Sequence, residues 1–341
     1  MPTDFRTSLD HHLIAKAQNS DRDNTFLHPS EFGDCPIKIW MKLTGIEPEE
    51  EHGPRKTMTF DNGHFLHLRH QMYAKDSGLL ASDKITEAWN EDVTIAKTPL
   101  PKRMLRGESG RVYPYDPKEF VWRVETEEEL THPVPLIAGM RIPQWVEAKD
   151  IAVGDSIWLA EVPIANQEFH FGGHCDAIVK NDGRDCIVDW KGIGDDSFKY
   201  LFHDESCVAD YILRWPDKHN ATCFLCGATI KDAKKFTEHL VTEHSDAKIH
   251  IDQKYRIQLQ MYMWLLGIDQ AILWHENKNF HLTIDEFIPR DEAMIEKIKG
   301  NAVKMWRLAE EGVKPARPAK YVKRTSFPCG WCDFASRCWN S

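Results

Sequence analysis

The sequence predicts an α/β fold, with β-strands near the middle of the chain and helices before and after them. Residues 168–191 predict a hairpin, because two runs of alternating apolar residues flank Asp182-Gly183, a dipeptide typical of two-residue turns. The apolar segment 253–267 predicts a helix, and a longer amphipathic helix is expected over about 290–311. Gly312 is the expected end of this longer helix. Its apolar stripe consists of Ile295, Ile298, Ala302, Met305 and Ala309.

The N-terminal part is predicted to be helical over 5–45 and again over 63–78. Cys35 lies at a helix start, where Asp34 can cap the helix and Pro36 suits its first turn. Residues 80–160 contain proline, glycine and acidic clusters, so short strands and loops are expected there.

Composition indicates a soluble globular protein of 341 residues with a net charge of −10. There is no run of 18 apolar residues, and the N-terminal residues lack a signal-peptide pattern, so we expect a cytoplasmic protein without membrane contact. In a reducing compartment, nine cysteines indicate metal ligands or buried thiols rather than disulfides. The acidic charge disfavours broad non-specific nucleic-acid binding but is compatible with a local basic channel.

The predicted hairpin carries the most informative polar residues. If Asp182 and Gly183 form the turn, Asp176 lies directly opposite Asp189, and His174 faces Lys191. Alternation predicts a buried apolar face formed by Cys175, Ala177, Val179, Cys186, Val188 and Trp190. The polar face consists of His174, Asp176, Asp189 and Lys191.

Two carboxylates opposite each other repel and destabilise a strand pair. A hard divalent cation shared by Asp176 and Asp189 would remove that repulsion. The alternative is a solvated face that carries charges without a ligand; the lysine two residues after Asp189 disfavours it.

The pattern formed by Asp176 and the tripeptide Asp189-Trp190-Lys191 resembles the PD-(D/E)XK nuclease superfamily. The resemblance implies that the two aspartates bind Mg²⁺ or Mn²⁺. It also implies that Lys191 orients or deprotonates the attacking water. Further matches appear in the expected order along the chain.

Gln258 and Tyr262, four residues apart on one helix face, resemble the Q-x-x-x-Y signature of RecB-type nucleases. Upstream, Gly63 and His67 resemble the G-x-x-x-H motif that contributes a histidine metal ligand in this group. His64 lies three positions away on nearly the same face and is the alternative ligand. Ordinary core packing is the alternative for each of these residues taken singly.

This resemblance implies a restriction-endonuclease-like core, a central mixed sheet flanked by helices. It implies a metal-dependent deoxyribonuclease, most often an exonuclease on single-stranded DNA ends, in recombination, repair or phage-type DNA processing. A helicase or recombination protein would then be a partner. The alternatives are a structure-specific endonuclease and a non-catalytic nucleic-acid-binding or adaptor protein on the same scaffold. Intact Asp176, Asp189 and Lys191 disfavour the non-catalytic alternative.

Three cysteines near the C-terminal end, Cys329, Cys332 and Cys338, have the spacing C-x2-C-x5-C. This spacing resembles iron–sulfur nucleases of the AddB and CRISPR-associated types, in which one upstream cysteine completes a 4Fe-4S site. The resemblance implies Cys35 as the fourth ligand and a staple that joins the two ends of the chain. Zinc is the alternative metal, and Cys207 is the alternative fourth ligand.

A second cysteine-containing motif lies between the hairpin and the apolar helix, with the spacing C-x2-C-x12-H-x4-H. Its members are Cys223, Cys226, His239 and His244. This spacing predicts a structural zinc site in an inserted ββα unit. A helix that carries Asp232, Lys234 and Lys235 favours protein docking at least as much as base recognition.

The segment 314–324 is basic and broken by proline. One hypothesis is that its side chains bind phosphates and supply local positive charge; the alternative is a solvated linker. The residues concerned are Lys314, Arg317, Lys320, Lys323 and Arg324.

These motifs divide the chain into five predicted parts. The first is an N-terminal helical part over 1–80, with Cys35 and the active-site histidine, and the second is a mixed β insertion over 81–160. The nuclease core hairpin covers 161–200, and the zinc-finger module covers 201–252. Core helices and the iron–sulfur segment cover 253–341.

Overall fold

The computed structural model describes the greater part of the chain, and the statements below refer to that part. The described residues are 9–10, 13, 26–49, 54–90, 94–95, 98–99, 103–115, 121–122, 124–125, 146–147, 151–202, 221–223, 225–245, 249–319, 321, 323–325 and 329–340.

The helices and strands are numbered in chain order. The helices are α1 Pro29–Phe32, α2 Pro36–Leu43, α3 Pro54–Asp76, α4 Asp195–Tyr200, α5 Ala233–Glu243, α6 Gln253–Leu266, α7 Glu292–Glu310 and α8 Ala335–Asn340. The first strands are β1 Ser82–Asn90, β2 Thr94–Ile95, β3 Thr98–Pro99, β4 Arg103–Gly107, β5 Val112–Tyr115, β6 Val121–Trp122, β7 Val124–Glu125, β8 Val146–Glu147 and β9 Ser156–Trp158. The remaining strands are β10 Ala160–Asn166, β11 Phe171–Asn181, β12 Arg184–Ile193, β13 Ala221–Thr222, β14 Thr229–Ile230, β15 Gln270–Asn277 and β16 Thr283–Pro289.

The core of the protein is a five-stranded mixed sheet in the order β10-β11-β12-β15-β16. Strands β12 and β15 pair in parallel, whereas the other neighbours are antiparallel. Helix α3 packs on one face, where Leu66 and Ala74 meet Val188. Helix α6 packs on the other face, where Leu259 meets Ile187. The prediction of a mixed α/β fold is confirmed.

A second five-stranded sheet, in the order β5-β4-β1-β9-β7, is built from residues 82–158. Strand β1 is longer than the short strands predicted for this region. Buried Asp83 accepts hydrogen bonds from the hydroxyls of Ser109 and Tyr113, and it lies so close to Gly107 that a Cβ there would clash with its carboxylate. These contacts hold β1 against the turn between β4 and β5 and against β5 itself.

The predicted hairpin turn is present. Asp182 and Gly183 have φ values of 49° and 75°, which a two-residue turn between twisted strands requires. The strands pair in the predicted register from Asn181 with Arg184 to Ala177 with Val188.

Beyond that last pair the strands depart from regular pairing. His174 pairs with Pro163 on β10 rather than facing Lys191. The predicted buried face is wrong for Cys175, which packs with Ile178 on the other side of the sheet, away from the cluster that contains Ala177. On β10, Glu161 lies between the residues that pair with Ala177 and Cys175, and it has a left-handed φ of 49°. Side chains that would share one face of the sheet therefore lie on opposite faces before and after Glu161.

The predicted helix ends are correct where a glycine follows the helix in the sequence. Helices α6 and α7 end next to Gly267 and Gly312, whose φ values are 64° and 66°. Helix α3 begins at Pro54, well before the predicted residue 63. Cys35, not Asp34, occupies the cap position of α2, and Asp34 instead forms an ion pair with Lys38.

Among the described residues, no helix combines the length and the apolar character that crossing a membrane would require.

Candidate active site and metal-binding groups

Asp189 and Lys191 lie on β12 and form a buried ion pair. The Oδ2 atom of Asp189 lies 2.7 Å from Nζ of Lys191, and Asp189 is completely buried. Strand alternation directs both side chains away from Trp190, which packs under α3. The pair therefore faces the α6 side of the sheet.

Asp176 approaches this pair from β11. Its Oδ2 atom accepts a hydrogen bond of 2.9 Å from the backbone N–H of Trp190, so a side chain replaces the missing strand pairing. The Nδ1 atom of His67 on α3 lies 3.6 Å from the same oxygen. The structure thus brings His67 to Asp176, whereas His64 is exposed one turn earlier.

Gln71, which the sequence analysis missed, holds this part of the site together. Its amide donates to the backbone carbonyl of Asp176 at 3.1 Å and to Oε1 of Glu161 at 2.8 Å. Gln71 lies four residues after His67 on α3, so helical spacing from the histidine was the available signal. Glu161 adds a carboxylate that no sequence motif indicated.

The amide of Gln258 on α6 donates to Oδ1 of Asp189 at 3.2 Å. The same amide contacts the hydroxyl oxygen of Tyr262 at 2.9 Å, one turn later. Both side chains are buried. The two predicted helix residues therefore meet the predicted aspartate and fix one of its oxygens.

The charges in this site are strongly coupled. Burial, with the nearby negative charge of Asp176, raises the pKa of Asp189 to about 6, although Lys191 opposes the rise. Burial opposes the charge on Lys191, but Asp189 and Asp176 outweigh it and raise the pKa of this lysine. Lys191 is therefore a cation, not a general base, near neutral pH.

Two residues beside Lys191 were also missed by the sequence analysis. Nζ of Lys191 lies 5.4 Å from the ring centroid of Tyr255, and His275 is its register partner on β15. Burial and the charge on Lys191 lower the pKa of His275 to about 4. The histidine is therefore neutral, and only the parallel pairing of β12 with β15 brings it here.

The donor set fits a divalent cation. Although Oδ2 of Asp189 forms the ion pair, it is buried and accepts no hydrogen bond of normal geometry. Lys191 offsets one negative charge, but a second buried carboxylate, Asp176, beside Asp189 is costly unless a further cation binds there. Carboxylates and an imidazole are ligands that Mn²⁺ accepts, and Mg²⁺ prefers the carboxylates.

The four zinc-motif residues come together between β13, β14 and α5. Their ligand atoms all lie within 4.8 Å of one another, the one such group among the residues that the structure describes. Sγ of Cys223 is 3.4 Å from Nε2 of His244, and Sγ of Cys226 is 3.3 Å from Nε2 of His239. Two thiols and two imidazoles in this arrangement match a closed tetrahedral zinc site.

This ββα unit docks on the core. The Oγ1 atom of Thr237 donates to Asp195 Oδ1 at 2.9 Å, and Nδ2 of Asn277 on β15 donates to the same oxygen at 2.8 Å. Buried Lys199 pairs with the other oxygen of Asp195. Phe236 belongs to the same apolar cluster as Phe198 on α4. The helix is therefore anchored just after the strand that carries Asp189.

The four cysteines with iron–sulfur spacing meet at the other end of the molecule. Cys35, Cys332 and Cys338 contact one apolar cluster, and none of the described cysteines forms a disulfide. Burial raises the pKa of Cys35, and the nearby Cys338 and Cys329 thiols raise it further. A set of four thiols fits either thiolate-bound iron or zinc. Cys207 lies outside the described residues.

Part of the basic segment packs on these cysteines. Lys314 Nζ and Arg317 Nη2 donate to the carbonyl of Cys338 at 3.2 and 2.8 Å. The guanidinium of Arg317 also stacks on Trp339, 3.7 Å from the ring centroid. Arg324 bonds to the hydroxyl of Ser336. All four of the predicted phosphate ligands that the structure describes, Lys323 included, thus interact within the protein. Lys320 lies outside the described residues.

Comparisons with known proteins leave the family open. No family model and no curated protein matches the chain. Among solved structures, SSO0001 is 12% identical with a TM-score of 0.38, over 98% of this chain and 95% of that one. LHK-Exo in complex with dAMP is 14% identical with a TM-score of 0.26, over 49% and 61%. A phage-related exonuclease from Haemophilus somnus 129PT is 18% identical with a TM-score of 0.26, over 46% and 61%. Similarities this distant carry no argument about activity.

Proposed function

We propose that the protein is a metal-dependent deoxyribonuclease whose catalytic centre contains Asp176, Asp189 and Lys191. The observation that carries the proposal is the setting of Asp189, a fully buried carboxylate that pairs with Lys191 and whose pKa the nearby charge of Asp176 helps to raise. Asp176 is itself buried, and its Oδ2 atom lies 3.6 Å from Nδ1 of His67. An ion pair that only stabilised the fold would not require a second buried carboxylate and an imidazole beside it.

The metal in this proposal is Mg²⁺ or Mn²⁺, held by Asp176, Asp189 and His67. When bound, it supplies a Lewis acid for the phosphoryl oxygen and lowers the pKa of a water ligand. Its positive charge also lowers the pKa of Asp189, which burial otherwise raises to about 6.

The remaining roles follow from the contacts of the protein. Lys191 carries a positive charge, so it orients the attacking water and offsets charge on the phosphate rather than removing a proton. Gln258 keeps Oδ1 of Asp189 in place, and Tyr262 in turn contacts that amide. With Oδ1 engaged in this way, Oδ2 of Asp189, which pairs with Lys191, would be the oxygen left to bind a metal.

We infer that the substrate is DNA, cleaved from single-stranded ends in recombination, repair or phage-type processing, with a helicase or recombination protein as partner. The zinc motif binds one Zn²⁺ as a structural unit, and the four-cysteine group binds a 4Fe-4S cluster. A restriction-endonuclease-like core and the five-part division of the chain belong to the same proposal. The motif order along the sequence supports these assignments.

The alternative is a nucleic-acid-binding adaptor on the same scaffold. The presence of Asp176, Asp189 and Lys191 together favours catalysis, because two buried carboxylates destabilise the fold when no metal binds them.

The test uses end-labelled single- and double-stranded DNA with Mn²⁺ or Mg²⁺, and circular single-stranded DNA as the control for end dependence. Wild-type protein should release short products from ends. Asp189→Asn and Lys191→Ala should reduce the rate at least about a hundredfold, because Asp189 would hold the metal and Lys191 offsets charge on the reacting phosphate. His67→Ala should reduce it far more than the matched variant His64→Ala. Undiminished cleavage by folded Asp189→Asn protein contradicts the proposal, and binding without cleavage by wild type favours the adaptor.

A further inference from the structure

A cavity of about 760 Å³ lies on the face of the core sheet opposite Asp189 and Lys191. Val188 and Trp190, which alternate with those two residues along β12, line it together with Trp274 on β15. The volume falls within the range of small-molecule sites. No step of the proposed nuclease reaction uses this cavity.

Aromatic rings form one wall of the cavity. Trp190 and Trp274 are register partners on the parallel strands, so their side chains emerge next to each other. The ring of His70 stacks on Trp190 with a centroid distance of 5.8 Å and an interplanar angle of 11°. Tyr73 also lines the cavity and is half exposed. Such a wall favours a planar ligand.

Two residues of the cavity lining each contain a buried N–H donor without a hydrogen-bond partner. The donors are Nε1 of Trp274 and Nε of Arg69. A buried N–H group without an acceptor is rare in folded proteins and costs free energy, which an acceptor on a ligand would recover. The ligand should therefore carry acceptor atoms on the edge of its ring.

The charges around the cavity balance. Arg69 and Lys180 are offset by Glu276 and Asp285. The carboxylate of Glu276 is already engaged by Arg69, by Nε2 of His70 at 2.7 Å and by Nδ1 of His281 at 2.8 Å. No surplus positive charge selects an anion, so the ring itself must supply recognition.

We propose that this cavity binds a nucleobase, which stacks on the aromatic wall and accepts hydrogen bonds from Trp274 and Arg69. Every base has a π-face and acceptor atoms at its edge, and stacking on aromatic side chains is the usual means of holding it. The base belongs either to a free nucleotide or to a nucleic-acid strand, and the test below distinguishes the two. The proposal does not depend on the nuclease activity, because none of the lining residues belongs to the proposed catalytic centre.

The test measures binding of dAMP and of a short single-stranded oligonucleotide by calorimetry, without divalent metal. Trp274→Phe keeps an aromatic ring but removes the donor, so it should weaken dAMP binding about tenfold. Trp158→Phe is the matched control, because Nε1 of Trp158 also lacks a partner but Trp158 does not line the cavity.

Binding of both probes, weakened by Trp274→Phe alone, supports the proposal for a free nucleotide. Binding of the oligonucleotide only, with the same dependence on Trp274, supports it for a base within a strand. The proposal is overturned if neither probe binds at millimolar concentration to folded protein. It is equally overturned if Trp274→Phe binds both probes as tightly as wild-type protein does, since the ligand then lies outside this cavity.

Discussion

The two cysteine-containing regions of this protein are assembled in opposite ways. The Cys223–His244 group draws all its ligands from one continuous stretch, and their ligand atoms lie within 4.8 Å of one another. The Cys35 group draws one thiol from the beginning of the described chain and three from its end. The first group is anchored to the core through α4, whereas the second lies in a small apolar cluster of its own.

This difference indicates how strongly the folded structure of each region depends on its metal. The zinc-motif helix has buried contacts that persist without any ion, because Thr237, Phe236 and Leu240 pack on core residues. The four-thiol region has only a small set of buried apolar side chains, and its segments are distant in sequence. Metal there would close a long loop, so its removal should release both ends of the chain.

The largest expected effect is the selective loss of one metal when a cysteine of its group is replaced. Wild-type protein purified without oxygen should contain about four irons and one zinc per chain. Cys35→Ser should remove the iron, keep the zinc and lower the melting temperature more than Cys226→Ser does. Cys226→Ser should remove only the zinc. Metal analysis and thermal unfolding of the same samples measure this.

Cys175→Ala is the control for that experiment, because Cys175 is a buried thiol in neither group. It should keep both metals. Two zincs without iron would make both regions zinc sites, and loss of zinc in Cys35→Ser would show that the two regions are not separable.

A second prediction concerns the anchoring of the zinc-motif helix. Thr237→Val should lower the free energy of unfolding by about 1–3 kcal/mol, because it removes a hydrogen bond between the buried Thr237 hydroxyl and the partly buried carboxylate of Asp195. Thr242→Val, on the exposed face of the same helix, should change it by less than about 0.5 kcal/mol. Denaturant unfolding of zinc-loaded protein compares the two. Equal effects would mean that the contact with Asp195 contributes nothing.

A third prediction concerns the zinc-motif unit in isolation. A peptide covering 218–248 should fold only with zinc, since it is too short to bury an adequate core. It should bind zinc at least about tenfold more weakly than the whole chain, because Phe236 loses its contact with Phe198. Competition with a chelator measures both affinities. Equal affinity would make the docked surface irrelevant to zinc binding.

The smallest expected effect is that of Arg317→Lys beside the four thiols. Lysine keeps the charge but loses the flat contact with Trp339 and the fixed fork of donors, so stability should fall by about 0.5–1 kcal/mol with the metal content unchanged. Arg307→Lys on the exposed face of α7 should have no measurable effect. A change in iron content would give Arg317 a role in holding the metal.

Local signals in the sequence were enough to predict the hairpin, the ends of α6 and α7, and the grouping of the two cysteines and two histidines of the zinc motif. Each depends on residues that are close in the chain, such as Asp182-Gly183 or Gly312. The start of α3 was predicted wrongly although Pro54 is itself a local signal for a first helical residue. The side occupied by Cys175 was predicted wrongly because the irregular backbone at Glu161 decides it.

The candidate site shows the same limit. The turn alone predicts the register only as far as Ala177 with Val188; beyond that pair, the side chain of Asp176 accepts a hydrogen bond from the backbone N–H of Trp190 instead. The contact of Gln258 with Tyr262 follows from their four-residue spacing on one helix. His275 reaches Lys191 only through parallel pairing between distant strands, which no periodicity in the sequence indicates. Gln71 and Glu161 meet across separate elements, so their contact also had no local signal.

The parallel pairing of β12 with β15 has a consequence for the order of folding. The β11–β12 hairpin needs only a two-residue turn and can form early, whereas β15 must wait for the long connection that contains the zinc-motif unit. When the zinc-motif unit is ordered and anchored at Asp195, the flexible part of that connection is shorter, so the entropy cost of bringing β15 to β12 is lower. Zinc supply during synthesis should therefore govern how fast the sheet closes, even where the finished protein tolerates the loss of the ion.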